Sequence, residues 1–260
     1  MYTKIAEYMA NNKLVINGEK THLVIMGTKL SSVKRSLVNL NAGQSVIVPS
    51  PSEKLLGLCV NENMKFHEHL LFGDNSLVKI LSSKVNAISK LSRYTSFKTR
   101  LKIANAIFNS NLIYMIAIWG GTEKFIMNIL QVIQNRAARC ITGLGVYAET
   151  SKLLQQCNWL SVQQLAVYHS VLQVYKAKKN NLPEYISSNI SRQFPYKTRA
   201  SSNNDIRLMQ GGCYNVTAQS FMVRGIKLWK NIPLKIWQIT EVKAFKLQLK
   251  SWVKQHVDVV

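Results

Sequence analysis

Apolar positions along this chain change their spacing once, near residue 75. Before that point they come in short runs. Leu14-Val15-Ile16 and Leu23-Val24-Ile25-Met26 are β-like and sit either side of Asn17-Gly18, a hairpin-turn signal. Residues 3–10 read as the end of a helix. Residues 28–52 are polar and loop-like, closing with Pro49-Ser50-Pro51-Ser52. The run KLLGLCV, Lys54 to Val60, reads as a buried strand in which Gly57 marks a bulge or a close backbone approach.

Beyond residue 75 the period is helical. Leu77, Leu81, Val85, Ile88 and Leu91 form one stripe. Leu101, Ala104, Phe108, Leu112, Met115 and Trp119 form a second, and Phe125, Ile129, Ile133, Ala137 and Ile141 a third. Gly120-Gly121 separates the last two, and Gly143-Leu144-Gly145 ends the third. Ser161 to Gln164 is a capping box opening a helix through Leu165, Tyr168, Leu172 and Tyr175. Residues 180–215 lack a period. Helices follow at about 217–230 and 241–255, with a break at Asn231-Ile232-Pro233 and Thr240 as a cap. The expected fold is mainly α with a small α/β N-terminal piece.

Charge changes this picture. Lys and Arg number 34 against 12 Asp and Glu, a net charge of +22. Such self-repulsion points to a polyanionic partner, nucleic acid before an anionic membrane surface. The charge is also uneven. Residues 75–140 carry ten basic groups against Glu123 alone, net +9, and residues 176–256 carry fifteen against three, net +12. Residues 141–175 between them are neutral, with Lys152 against Glu149. No apolar leader segment is visible, so a nuclear or cytoplasmic protein is expected, not a secreted or membrane one. The four cysteines form no C-x-x-C pair, and reduced thiols are expected.

The candidate chemistry is sparse. Gly18-Glu19-Lys20-Thr21 lacks the G-x-x-x-x-G-K-[ST] spacing that wraps a phosphate. His67 and His69 share a face only on a strand and have no Cys or His nearby to complete a metal site. The stretch LSRYTSFKTRLK, Leu91 to Lys102, is richer: Arg93, Lys98, Arg100 and Lys102 surround Tyr94 and Phe97 at a junction between two helices. Cations, aromatic faces and the N–H groups of a helix start suit a phosphate backbone. The other aromatic residues fall at helical spacing and are expected in the core.

Several ordered segments resemble non-LTR (LINE-type, jockey-like) retrotransposon reverse transcriptases. NKLVINGEKTHLVIMGT is similar to the segment after the family's Asp-Asp motif, through Asn12, Leu14, Asn17, Lys20 and Thr21. EKLLGLCVNENMKFHEHL matches the following motif at Leu56, Gly57 and His69. Phe97 to Gly121 resembles the thumb helix, ending Tyr114…Trp119-Gly120. LQVIQNRAARCITG matches L-Q-x-x-Q-N-x-A-A-R through Gln131, Gln134, Asn135 and Arg139. CNWLSVQQLAVYHSVLQVYK, YKTRA and LWKNIPLKI resemble later segments, with Lys230 interposed between Trp229 and Asn231.

The resemblance implies a partial palm at 1–72, a thumb-like helical domain at 73–145 and a helical C-terminal region at 146–260. It implies an RNA-directed DNA polymerase whose two Mg²⁺ ions are held by carboxylates that would precede residue 1. This chain has only Asp74, Asp205 and Asp258, and no two acidic residues are adjacent. Alone, it is expected to be inactive and to need no cofactor. Lys20 corresponds to a lysine that donates a proton only in an intact enzyme. Leu56 and Gly57 correspond to the primer grip. With Arg93, Tyr94, Lys98, Arg100, Lys102, Arg136 and Arg139 they make the expected nucleic-acid-binding set. The expected partners are an RNA–DNA hybrid or other nucleic acid, and the missing palm and fingers. A domesticated helical interaction protein, binding through its neutral block, is the alternative.

Overall fold

A computed structural model describes residues 2–26, 37–42, 45–179, 182–190 and 221–257, and the chain divides into two units, Met1–His69 and Leu70–Val260.

The first unit opens with helix α1, Tyr2–Asn11. It ends where Lys13 takes a positive φ of 57°. The β-like runs do not pair as a hairpin. The Asn17 side chain accepts from the Lys20 N–H at 3.2 Å, and the Thr21 hydroxyl donates to the Asn17 carbonyl at 2.7 Å. These local bonds wind Gly18–Lys20 into a 3₁₀ turn, the competition that Asn side chains offer to a strand ladder. Leu23 makes only an isolated parallel bridge to Pro49.

The segment read as loop contains an antiparallel pair, β1 (Leu40–Ala42) with β2 (Ser45–Ile47). KLLGLCV is not one buried strand but the middle of a hairpin, β3 (Ser52–Leu55) with β4 (Leu58–Asn61). Leu55 pairs with Leu58, leaving Leu56-Gly57 as a two-residue tip. Both tip residues have positive φ, 49° and 85°, as a type I′ turn requires. Gly57 thus serves the turn instead of a bulge. The buried apolar residues described in this unit are Ile47, Leu58 and Val60.

The second unit is helical. Helix α2, Leu77–Leu91, buries Leu77, Leu81, Val85 and Ile88, as the spacing predicts, but Leu91, the fifth member of that stripe, is exposed at the helix end. Helix α3, Phe97–Ala104, runs through a π-helical turn, Asn105–Asn109, into α4, Ser110–Ile113. The second stripe breaks at Met115, which has φ of 52°, before α5, Ile116–Trp119. The Trp119 indole donates to the freed Tyr114 carbonyl at 2.8 Å and closes the break.

Helix α6, Lys124–Thr142, ends at Gly143 with φ of 74°. Its buried face is Ile126, Leu130, Ile133, Ala137 and Ile141; Phe125 and Ile129 are exposed. The expected stripe stepped by four throughout. Each such step overshoots a 3.6-residue turn by about 40°, so four steps carry it about 160° around the helix.

Helix α7, Thr150–Cys157, precedes α8, Val162–Lys178. The capping box forms: the Gln164 N–H donates to Ser161 Oγ at 3.1 Å, and the Ser161 N–H to Gln164 Oε1 at 3.0 Å. Helix α8 is buried on several faces and packs against α5 and α6. It also packs against α9 (Glu184–Ile190), α10 (Phe221–Lys230) and α12 (Val242–His256), with α11 (Leu234–Trp237) preceding α12. A helix apolar on most sides belongs at the centre of a core. The α8 Tyr175 ring stacks on Phe245 at 3.8 Å, and its hydroxyl donates to the Thr240 carbonyl at 2.8 Å. The cap of α12 is Glu241, not Thr240, and makes no side-chain cap bond. Of the stretch expected to be irregular, 184–190 is helical, and 191–215 lies outside the described residues. The later part of the neutral block builds the interior: Leu153, Leu154, Cys157, Trp159, Leu160, Val171 and Val174 are all buried.

Candidate nucleic-acid interface

The junction between α2 and α3 is built by short side chains. Thr95 donates to the Leu91 carbonyl at 2.7 Å, and Ser96 caps α3 by accepting from the Thr99 N–H at 3.3 Å. Arg100 reaches back from α3 and donates to the Ser92 carbonyl at 2.7 Å, the end of α2, where cations are favoured. Its Nε is buried with no partner. Arg100 therefore holds the junction together, while its neighbours face water. Arg93, Lys98 and Lys102 are exposed, and among the described residues none is paired with a carboxylate. Tyr94 is 84% exposed, and Phe97 is partly so. The remaining expected cations lie on α6: Arg136 is exposed, and Arg139 is half-buried with its Nε unpartnered.

Lys20, Leu56 and Gly57 belong to the first unit. Lys20 is exposed in its 3₁₀ turn, and Leu56 is 75% exposed at the hairpin tip. Among the described residues no group of three His, Cys, Asp or Glu side chains is placed to hold a metal ion, and no helix is long and apolar enough to cross a membrane.

The motif LQVIQNRAAR has a structural use. Gln131 donates to Gln134 Oε1 and to Asn135 Oδ1, each at 2.9 Å. Gln131 Oε1 accepts the Val162 N–H, Gln134 donates to the Leu160 carbonyl, and Asn135 donates to Thr150 Oγ1, all at 2.9 Å. Three side chains on one face of α6 thereby satisfy the start of α8 and tie down α7.

Sequence reasoning missed one feature, a cleft of about 430 Å³ wholly inside the second unit. Asn105, Asn109, Trp159, Tyr168, His169 and Lys250 line it, among others. The Trp159 indole donates to Asn105 Oδ1 at 2.9 Å, Asn109 donates to the same oxygen at 2.8 Å, and Asn109 Oδ1 is left without a partner. Burial, together with Lys176 and Lys246, pushes the His169 imidazole down to about 4, so it is neutral at pH 7. Beside the cleft, Lys243, Lys246, Lys250 and Lys254 follow one another on α12 by three, four and four, which places them on one face. Lys250 donates to the Asn158 carbonyl at 3.1 Å and Lys254 to Asn158 Oδ1 at 2.8 Å, at the end of α7. The 3-4-4 spacing was visible in the sequence; that it borders a cleft was not.

The chain is similar to a probable RNA-directed DNA polymerase from transposon BS of Drosophila melanogaster, at 26% identity over 169 residues. That stretch is 65% of this chain and 18% of the fly protein. The similarity supports a distant relation to transposon reverse transcriptases. No protein-family profile matches the chain, and no solved structure matches it.

Proposed function

We propose that this chain is a distal part of a LINE-type reverse transcriptase: the end of the palm at 1–72, a thumb at 73–145 and a C-terminal helical region at 146–260. It binds RNA–DNA hybrid or other nucleic acid through its backbone, without sequence preference, and does not polymerise by itself. The likeness to the fly transposon polymerase supports the origin. The observation that carries the binding is the helix junction, where Arg93, Lys98 and Lys102 stand exposed around Tyr94 with no acidic partner among the described residues. Such a site attracts phosphates and offers an aromatic face, which suits recognition by charge and shape. The hairpin with Leu56-Gly57 at its tip is the primer-grip element of this reading, and Lys20 acts only when the rest of a polymerase is present.

None of the 12 acidic residues adjoins another, so the adjacent Asp-Asp motif of that family does not occur in this sequence. The small set of buried residues in the first unit, with Ile5, Tyr8 and Val15 exposed, fits a piece that packs against the rest of a palm. The interaction-protein alternative is weakened because most large apolar residues of its neutral block are buried; Val146 and Tyr147 are the exposed ones.

Binding to a labelled RNA–DNA hybrid, followed by anisotropy, tests the reading. Affinity is expected to fall steeply between about 50 and 200 mM salt. A flat salt response, or no binding at low salt, overturns the binding. In a primer-extension assay with Mg²⁺ no incorporation is expected, and incorporation by this chain alone overturns the assignment.

A further inference from the structure

The cleft and the lysine face of α12 lie together, and the helix junction does not use them. Lys250 belongs to both. We propose that the cleft receives one unstacked base of a single-stranded nucleic acid while Lys243, Lys246, Lys250 and Lys254 hold the adjoining phosphates. This rests on the nucleic-acid reading above and names where a single strand goes.

Size, chemistry and charge agree. A cleft of about 430 Å³ falls in the range of small-molecule sites. Trp159 contributes an aromatic wall. Asn109 Oδ1 is an acceptor lacking a donor, which an exocyclic amino or ring N–H group of a base supplies. The Tyr168 hydroxyl and the neutral His169 add groups that both donate and accept. The lysine face decides between a small anion and a polymer. From Lys243 to Lys254 it runs about 16 Å along the helix, too long for one small anion and suited to successive phosphates. Lys176 adds a cation near His169 from α8, and no carboxylate pairs with any of these lysines among the described residues. A base held in a duplex cannot enter, which limits the occupant to a single strand or an unpaired end.

Anisotropy with the full chain and a labelled 12-nucleotide single-stranded DNA, against the same strand made abasic at its internal positions, tests this. The base-bearing strand is expected to bind about tenfold more tightly, the size of one stacking contact. Lys243→Gln with Lys246→Gln is expected to weaken both strands alike and to lower the salt slope by about 1.4. Asn109→Leu, which removes the Oδ1 acceptor and puts a bulkier apolar side chain in the lining, is expected to remove the difference between strands and leave the slope unchanged. Equal affinity of the unmodified protein for the two strands overturns the proposal without need of a variant, even where hybrid binding holds. Loss of the difference in Tyr94→Ala but not in Asn109→Leu places the base at the helix junction and also overturns it. Binding of neither strand nor hybrid overturns this proposal and the reading beneath it together.

Discussion

Gly120 lies just past the end of α5, against Ala166 of α8. Its place in Gly120-Gly121 marks the end of a helix, and α5 does end at Trp119. Yet a Cβ at Gly120 would lie 2.7 Å from the Ala166 Cβ on α8, and closer still to the Ile116 carbonyl oxygen. The glycine therefore sets how near α5 and α8 approach. Backbone on one side and a short buried side chain on the other leave little room to yield. Gly120→Ala is expected to cost about 2 kcal/mol, in the range of overpacked cores. Urea denaturation measures it, and a loss under about 0.5 kcal/mol would show that the contact relaxes freely. Leu56 is the opposite case. A type I′ tip favours Asn or Gly, because a side chain with positive φ costs about 1–2 kcal/mol. Leucine at φ of 49°, 75% exposed, runs against the local rule, and this is why KLLGLCV reads as one strand instead of a hairpin. Such departures concentrate at functional sites, which agrees with the primer-grip role proposed for this tip.

Among elements, legibility followed how much of each helix faces water. Helix α2 has one buried face, and four of the five positions its spacing marks are core, with Leu91 at its end exposed. Helix α6 carries buried Gln131 and Gln134 within its apolar face, so a rule that counts only apolar residues loses the register over its first half. Helix α8 is buried on several sides and offers no unique stripe; its capping box located it instead. The pair β1–β2 stayed hidden because three-residue strands are too short to show alternation. The exposed cations at the α2–α3 junction were legible because Arg93, Lys98 and Lys102 lie close together in the chain. The cleft was not, since its lining runs from Leu101 to Lys250 and forms only after α12 packs on α8. The glutamines of α6 yield a prediction at this scale. Gln131→Ala removes the acceptor of the buried Val162 N–H and two donated bonds. The stranded donor and broken network are expected to cost about 3 kcal/mol. Hydrogen exchange should quicken first at the start of α8. A loss below about 1 kcal/mol would mean that water replaces the glutamine and that α8 docks by apolar contact alone.

At the scale of the whole molecule the dominant quantity is the net charge of +22. It acts on stability and on binding with opposite dependence on salt. Free of a polyanion, the folded chain holds its cations closer together than the unfolded one, and this repulsion weakens the compact state. Added salt shortens the screening distance to about 10 Å at 0.1 M and relieves it. The melting temperature of the free protein is therefore expected to rise between about 20 and 300 mM NaCl, a range over which that distance falls severalfold. The transition should report mainly the second unit, which holds most of the buried residues described. Hybrid binding runs the other way, because each phosphate contact releases condensed counterions and salt opposes that release. Hybrid added at low salt should raise the melting temperature, since a ligand of the folded state stabilises it by mass action, and should lose this effect at high salt. The two melting curves, with and without hybrid, should converge as salt increases. A melting temperature that falls as salt rises, with hybrid absent, would show that favourable ion pairs outweigh repulsion in the folded chain and would remove the physical reason for seeking a polyanionic partner.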